Sequence, residues 1–455
     1  MFDNFVLIKR IYILYVFFVV FFLFVTPSKN PSCFHIFIQF YQATLVLVLA
    51  YFLFQREAIG KIEFNLGLFL YLVILITSYR LLNYCVLGDW LGVGVDGRYY
   101  TKLGTDFVVQ KISIFDVFEF FKQKQVMLDD YGMSFITTSF FWFWGDEWGF
   151  HLLPYLSIIP ILVGGDYLRR LSDEIDISKR QGYLLNFIWC TMSYSCYNCS
   201  IGLKENYMVC FIIISLYLIQ KNIEEASFFR LVILMLFAST MLLFRTALFY
   251  MLIITLIVAF FLKNAFFRKY IWLWLGCGII VALPLLALAI NYIGGVRGGV
   301  SGQFVNDMYQ SKMKMGGVFA PFLNTIVTFV GPIPSFISDF IKAKYITLFS
   351  FTSTIKLFLS FGYIYALYAI VRYRCLKLIP ITIFLFLHSL MIWMMFYSLH
   401  DRYQWPQYPI VLLLAFYGFS VYRSIHSEGT LYKYYCCFAI ACILFFNFRV
   451  ISIVR

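Results

Sequence analysis

"IYILYVFFVVFFLFV" (residues 11–25) follows Lys9 and Arg10 and carries no charge of its own. Such a run after two basic residues has two readings, a secretory signal or a first transmembrane helix. No convincing small-residue cleavage site follows it, and similar apolar runs recur to the end of the chain, so it reads as a retained first helix. Of 455 residues, 62% are hydrophobic, 21% aromatic and only 13% charged. Soluble domains carry roughly 25% charged residues. The fold class expected is therefore all-α, a polytopic integral membrane protein.

Runs near the ~20 residues needed to cross the hydrocarbon core fall at 8–26, 34–54, 67–87, 149–167, 183–201, 205–220, 229–244, 246–262, 270–292, 345–370, 379–399, 407–423 and 433–449. A further apolar segment, 317–337, contains "GPIP". Charge decides how to treat it. With the N-terminus inside, the short inner connections carry Arg56/Lys61, Arg169/Arg170/Lys179/Arg180, Lys221/Arg230 and Lys263/Arg268/Lys269, as the positive-inside rule asks. If 317–337 crossed, "RYRCLK" (372–377) would fall outside. If it is re-entrant or lies at the surface, Arg372, Arg374 and Lys377 return inside. The second choice gives about thirteen transmembrane helices in one polytopic domain, with two large external loops, 88–148 and 293–344. Irregular backbone at membrane depth is tolerated where it is buried in protein or lines a wet cavity, which suits Gly331, Pro332 and Pro334. Within 88–148, "MSFITTSFFWFW" (133–144) is too short to span and reads as a helix along the outer interface.

The net charge of +13 does not indicate nucleic acid, because the Lys and Arg residues sit mostly between spans. Eleven cysteines are scattered. Cys196 and Cys199 have redox-motif spacing without a thioredoxin-like strand pattern around them, and read as small residues packing on one helix face. Five histidines and no zinc-ligand spacing leave no metal or other cofactor expected.

Ionisable residues at membrane depth are expensive and usually mark function. In this topology Asp89, Asp96, Asp129, Asp130, Asp146, Glu147, Lys204, Glu205, Arg245, Arg297, Asp401 and Arg402 all come out at the external face. Arg80 and Lys356 lie within spans, in their outer halves, and an enlarged outer cavity is expected to reach both, away from lipid. In "GDWLGVGVDGRYYTKLG" (88–104), glycines around Asp96 allow close backbone approach to a ligand. In "LDDYG" (128–132), the paired acids can share a proton, bind a cation, or take a proton from a hydroxyl; alternatively they cap short helices. "GLKENY" (202–207) sets Lys204 and Glu205 in a tight turn, as a local pair or as an anion contact with an orienting carboxylate. Arg245 is isolated in the apolar hairpin "LLFRTALF" (242–249), and its donor fork suits phosphate oxygens. Arg297 sits in "GGVRGGVSGQ" (294–303), whose spacing matches no P-loop.

"SLHDRYQWPQYP" (398–409) groups His400, Asp401 and Arg402 at a helix entry. Pro406 and Pro409 suit a first turn, and Trp405 and Tyr408 suit a membrane interface. A helix N-terminus favours Asp401 and opposes Arg402, so Arg402 is expected to hold an anion, either Asp401 or a substrate.

The outer acids of "VDGRYY" and "LDDYG", the "GLKEN" turn, the hairpin arginine, "RYQWPQYP" and "GPIPS" (331–335) together resemble bacterial O-antigen, capsule and exopolysaccharide repeat-unit polymerases, within the wider GT-C class of polyprenyl-linked membrane glycosyltransferases. The resemblance covers most of the chain in layout through short motifs. It implies a polyprenyl-diphosphate-linked oligosaccharide as substrate, transfer at the outer face of the bacterial inner membrane, and contact with membrane lipid, a chain-length regulator and other assembly proteins. It implies that Arg245, Arg402 and Arg297, with Lys204, His400 and Arg80, bind the diphosphate and glycan, and that Asp96, Asp130 or Glu205 activates the acceptor hydroxyl. A GT-C enzyme adding one sugar and a lipid-linked oligosaccharide flippase are the competing readings; a flippase should carry charges at mid-membrane.

Overall fold

The computed structural model describes residues 4–25, 33–54, 60–91, 95–262, 269–270, 330–331, 333–334, 336, 347–373, 375–394, 401–426 and 429–454. Among these residues every regular element is helical. The helices are α1 (Asn4–Val25), α2 (Cys33–Phe54), α3 (Lys61–Leu87), α4 (Val95–Val109), α5 (Val117–Gln123), α6 (Tyr131–Leu156), α7 (Ile158–Glu174), α8 (Lys179–Thr191), α9 (Ser193–Ser200), α10 (Glu205–Glu224), α11 (Phe228–Phe244) and α12 (Thr246–Phe261). After these come α13 (Thr347–Tyr373), α14 (Ile379–Met394), the single turn α15 (Asp401–Gln404), α16 (Tyr408–Ile425) and α17 (Thr430–Val454). Among the described residues seven helical stretches are long and apolar enough to cross a membrane, and shorter apolar helices occupy 40–54, 228–244 and 246–261. The chain is thus a helical protein with the makings of a multi-pass membrane protein. The span expected at 270–292, apart from Tyr270, and all of 293–344 except five residues lie outside the described residues.

The first helix is packed into the protein. Tyr15 and Phe18 of α1 are almost fully enclosed, and both rings meet Phe336. Around Phe336, Asn447 of α17 donates to the Pro334 carbonyl at 2.9 Å and accepts the Phe336 N–H at 2.7 Å. Buried backbone needs such partners, and one asparagine satisfies two of these groups.

The described part of 88–148 is mostly helical rather than open loop. Leu103 and Phe107 of α4, Val117, Phe120 and Phe121, and Val126 form a second, smaller apolar cluster. The 133–144 stretch is the first part of α6. Gly145, at φ +79°, kinks this helix, and Trp142, Phe143, Trp144 and Trp148 around the kink are exposed.

The opposite ends of several helices meet in ion pairs. Lys221 holds Glu174 at 2.7 Å, Lys377 holds Asp176 at 3.1 Å, and Asp166 takes Arg169 and Arg170, each at 2.9 Å, with Lys61 at 3.6 Å. Lys61, Arg169, Arg170, Lys221 and Lys377, all expected on one side of the membrane, therefore meet acids of α7 and of the turn that follows it. The 20 residues of α10 separate this end from Lys204 by about 30 Å.

Candidate functional site

The site forms where the starts of α4, α6 and α10 meet the α11–α12 break. The turn between α9 and α10 is tight because Gly202 adopts φ +67°, a conformation that costs glycine little. Gly97 of α4 lies against this turn so closely that a Cβ there would stand 2.0 Å from the Ile201 carbonyl oxygen. The glycine next to Asp96 thus serves helix packing, and it brings Asp96 up to the turn that carries Lys204 and Glu205.

Lys204 is the hub. Its ammonium donates to Asp130 Oδ1 at 2.5 Å and to the Asp129 carbonyl at 2.7 Å. Asp130 also accepts the Tyr100 hydroxyl at 2.7 Å. Burial pulls the Lys204 pKa below its ordinary value of 10.5; Asp130 is the strongest opposing influence, and the nearby Arg245 adds to the lowering. Burial and then the Asp130 charge push the Tyr100 hydroxyl well up, so Tyr100 is a donor. Glu205 and Asp96 are its other electrostatic neighbours, so all three candidate carboxylates lie within electrostatic reach of one phenol. Glu205 opens α10 at 1% exposure.

The two aspartates of "LDDYG" have separate duties. Asp129 Oδ1 accepts from both the backbone N–H and the hydroxyl of Thr246, at 3.0 and 2.6 Å. It therefore caps α12, satisfying an N–H that a helix start leaves open. This is the structural alternative for Asp129. Asp130 is tied to Lys204, so the two carboxylates neither share a proton nor act alike. The Asp129 cap also fixes Arg245, which lies in extended conformation between α11 and α12. The Arg245 guanidinium stands over the Tyr403 ring at 5.4 Å, linking this group to the 401–408 stretch.

Asp96, Asp130, Glu205, Lys204 and Arg245 are thus brought together. Arg80 is buried and engaged elsewhere. It donates to the Ser200 and Phe150 carbonyls at 3.3 and 3.4 Å and lies against the rings of Phe150 and Trp90. It braces the end of α9 behind the site. Arg297 and His400 lie outside the described residues, and of Arg402 only its backbone position in α15 is described.

The reading of Trp405 and Tyr408 as interface anchors is overturned. Both are fully enclosed. Trp405 stacks on Trp189 at 4.9 Å and meets the Tyr194 ring edge-on at 4.8 Å. The reason is a helix interruption at Met192, between α8 and α9, which opens a slot for the indole. The Thr191 carbonyl freed there accepts from Gln42 and Tyr71, at 3.4 and 3.5 Å. Lys356 is also fully buried; it donates to Gln404 at 2.5 Å and faces the Tyr408 ring at 5.0 Å.

Tyr100, Tyr403 and His388 were not singled out from sequence. Tyr100 stands inside "DGRYY", where a tyrosine is unremarkable among so many aromatics. Tyr403 adjoins the suspected Arg402. His388 lies in α14, and a lone histidine in an apolar run was the one available signal. Cys196 and Cys199 are buried thiols, with Cys199 against the Ser157 carbonyl, as packing residues would be. Among the described residues no group of His, Cys, Asp and Glu is arranged to hold a metal ion. No family model matches the chain, and no curated protein or solved structure matches it either.

Proposed function

We propose that the protein is a membrane glycosyltransferase that polymerises polyprenyl-diphosphate-linked oligosaccharide repeat units into surface polysaccharide. The observation that carries this reading is the meeting of Lys204 and Arg245 with Asp96, Asp130, Glu205 and Tyr100 at one set of helix ends. Glycosyl transfer from a diphosphate needs two things at one place. Fixed cations must stabilise the charge that builds on the leaving diphosphate as its bond to the anomeric carbon breaks. A carboxylate must accept the proton of the attacking hydroxyl.

Arg245, held by the capped start of α12, is the diphosphate contact, with Arg402 of α15 as a second cation for the same anion. Lys204 supports the same anion. Asp130, engaged by Lys204 and Tyr100, orients those two donors. Glu205 is almost fully enclosed, whereas Asp96 is only partly buried, so Asp96 is the carboxylate placed to take a proton from an incoming acceptor. In this reading the ion-paired end of the bundle faces the cytoplasm, and the site faces the periplasm or exterior of the bacterial inner membrane. A chain-length regulator and other assembly proteins are the partners this activity would have.

The test is the surface polysaccharide of a strain lacking the protein. Collapse of a ladder to a band of core plus one unit supports polymerisation. Loss of the single-unit band as well would place the protein upstream, as a flippase or an earlier transferase. An intact ladder of altered mobility would mark a decorating transferase.

A further inference from the structure

Lys356 stands where a charge is hard to keep. It lies within α13 at 0% exposure, and an ammonium taken out of water persists only with good partners. Ionisable residues inside a membrane bundle usually mark function. The Lys356 ammonium donates to Gln404 Oε1 at 2.5 Å and faces the Tyr408 ring at 5.0 Å. Complete enclosure keeps it from a substrate, so a function of Lys356 is exercised through these neighbours.

The neighbours belong to one short stretch. Gln404 ends α15, and Tyr408 opens α16. The residues between them are held on two further sides: Trp405 stacks on Trp189 at 4.9 Å, and Gln407 Nε2 donates to Ser389 Oγ of α14 at 3.0 Å. The helix that carries Lys356 is itself fixed against α16. A Cβ on Gly418 would stand 1.8 Å from the Gly362 carbonyl oxygen, and one on Gly362 would stand 2.3 Å from that of Ala415. Small residues let the two backbones meet directly, less than two turns along α13 from Lys356. The base of the clamp is therefore rigid.

Tyr403 immediately precedes Gln404, and the Arg245 guanidinium lies over its ring at 5.4 Å. A guanidinium is attracted to an aromatic face, so this ring is a wall against which the donor fork is oriented. His388 of α14 lies within electrostatic reach of both Arg245 and Lys356, which puts the two cations in the same part of the bundle.

We infer that Lys356 is a positioning residue for glycosyl transfer: by holding Gln404 it keeps Tyr403 against Arg245, and so orients the guanidinium that meets the diphosphate. This rests on the glycosyl-transfer reading and adds to it a residue that never touches the substrate. Packing alone would be served as well by an apolar side chain, without the desolvation that a buried ammonium suffers.

The experiment measures chain growth by full-length protein in nanodiscs, with polyprenyl-diphosphate-linked repeat units as substrate. The variant that separates packing from positioning is Lys356→Met/Gln404→Leu, whose matched apolar pair should keep the fold close to wild-type stability. Its rate should nevertheless fall by about 10- to 100-fold, the scale of a misplaced contact at the reacting centre. In an Arg245→Lys background the same two changes should cost no more than about twofold, because they act through the residue already altered. Gln404→Leu alone is read in the same way should the double variant fail to insert. A wild-type rate in these variants, or a loss just as large in the Arg245→Lys background, overturns the role of Lys356 and leaves the glycosyl-transfer reading standing. Wild type that grows no chain overturns that reading, and the role of Lys356 with it.

Discussion

Breaking the Asp130–Lys204 pair should cost more than breaking an exposed salt bridge, and the cost of Asp130→Ala should largely disappear once Lys204 is gone as well. The N···O distance is 2.5 Å, and the Lys204 side chain is only 5% exposed against 27% for Asp130. At an effective dielectric of about 20 the Coulomb attraction is about 6.6 kcal/mol. Desolvating the lysine takes back most of this, and the partial exposure of Asp130 adds solvent screening, which leaves a coupling of about 2–3 kcal/mol. Asp130→Ala strands a buried ammonium whose remaining described acceptor is the Asp129 carbonyl, and it removes the acceptor of the Tyr100 hydroxyl. Lys204→Met leaves Asp130 partly hydrated and still bonded to Tyr100, so it should be the milder change. The assay is a double-mutant cycle on unfolding free energy in mixed micelles, with Asp130→Ala, Lys204→Met and the double variant. A double variant close to Lys204→Met alone is the expected result. Additive single effects, with coupling below about 0.5 kcal/mol, would refute the claim that this pair organises the site.

Gly97→Ala puts a Cβ 2.0 Å from the Ile201 carbonyl, so α4 must move off the turn. A loss of about 1–3 kcal/mol together with loss of activity is expected, and unfolding free energy compared with turnover measures both. On the alkaline side, activity should fall at a pH below 10.5 as Lys204 loses its proton, because burial lowers its folded-state pKa. The stability contribution has the opposite sign. The unfolded lysine holds its proton more tightly, so the penalty of burying the charge is full at neutral pH and is relieved as pH rises toward 10.5. Lys204→Met should remove the activity limb, as a pH–rate profile would register. Reporter fusions at residues 110 and 375 should report opposite sides of the membrane; agreement on one side would overturn the proposed topology.

Hydropathy made the helical, membrane-type architecture legible, because a chain of this composition has few other ways to satisfy its backbone. Charge made the site partly legible. Lys204, Glu205, Asp130, Asp96 and Arg245 are residues that apolar helices would not carry at their ends without a use, and they do converge. What sequence does not carry is the partner across the bundle. Asp129 and Asp130 look equivalent in "LDDYG", and the fold alone assigns one to Thr246 and the other to Lys204. Trp405 and Tyr408 follow the pattern of interface aromatics, yet the break at Met192 draws Trp405 inward; that break has no proline or glycine to announce it. Arg80 has the burial of a functional arginine, but two main-chain carbonyls and two rings account for it.

The most direct measurement is chain growth by the purified protein. Protein in nanodiscs is incubated with polyprenyl-diphosphate-linked repeat units, and the lipid-linked products are resolved by size for wild type, Arg245→Ala and Arg245→Lys. Wild type should yield products of two or more units. Arg245→Ala should yield almost none, and Arg245→Lys should recover only part of the wild-type rate, because a lysine lacks the two-pronged donor geometry. Undiminished chain growth by inserted, folded Arg245→Ala protein would contradict the diphosphate clamp at the centre of this account.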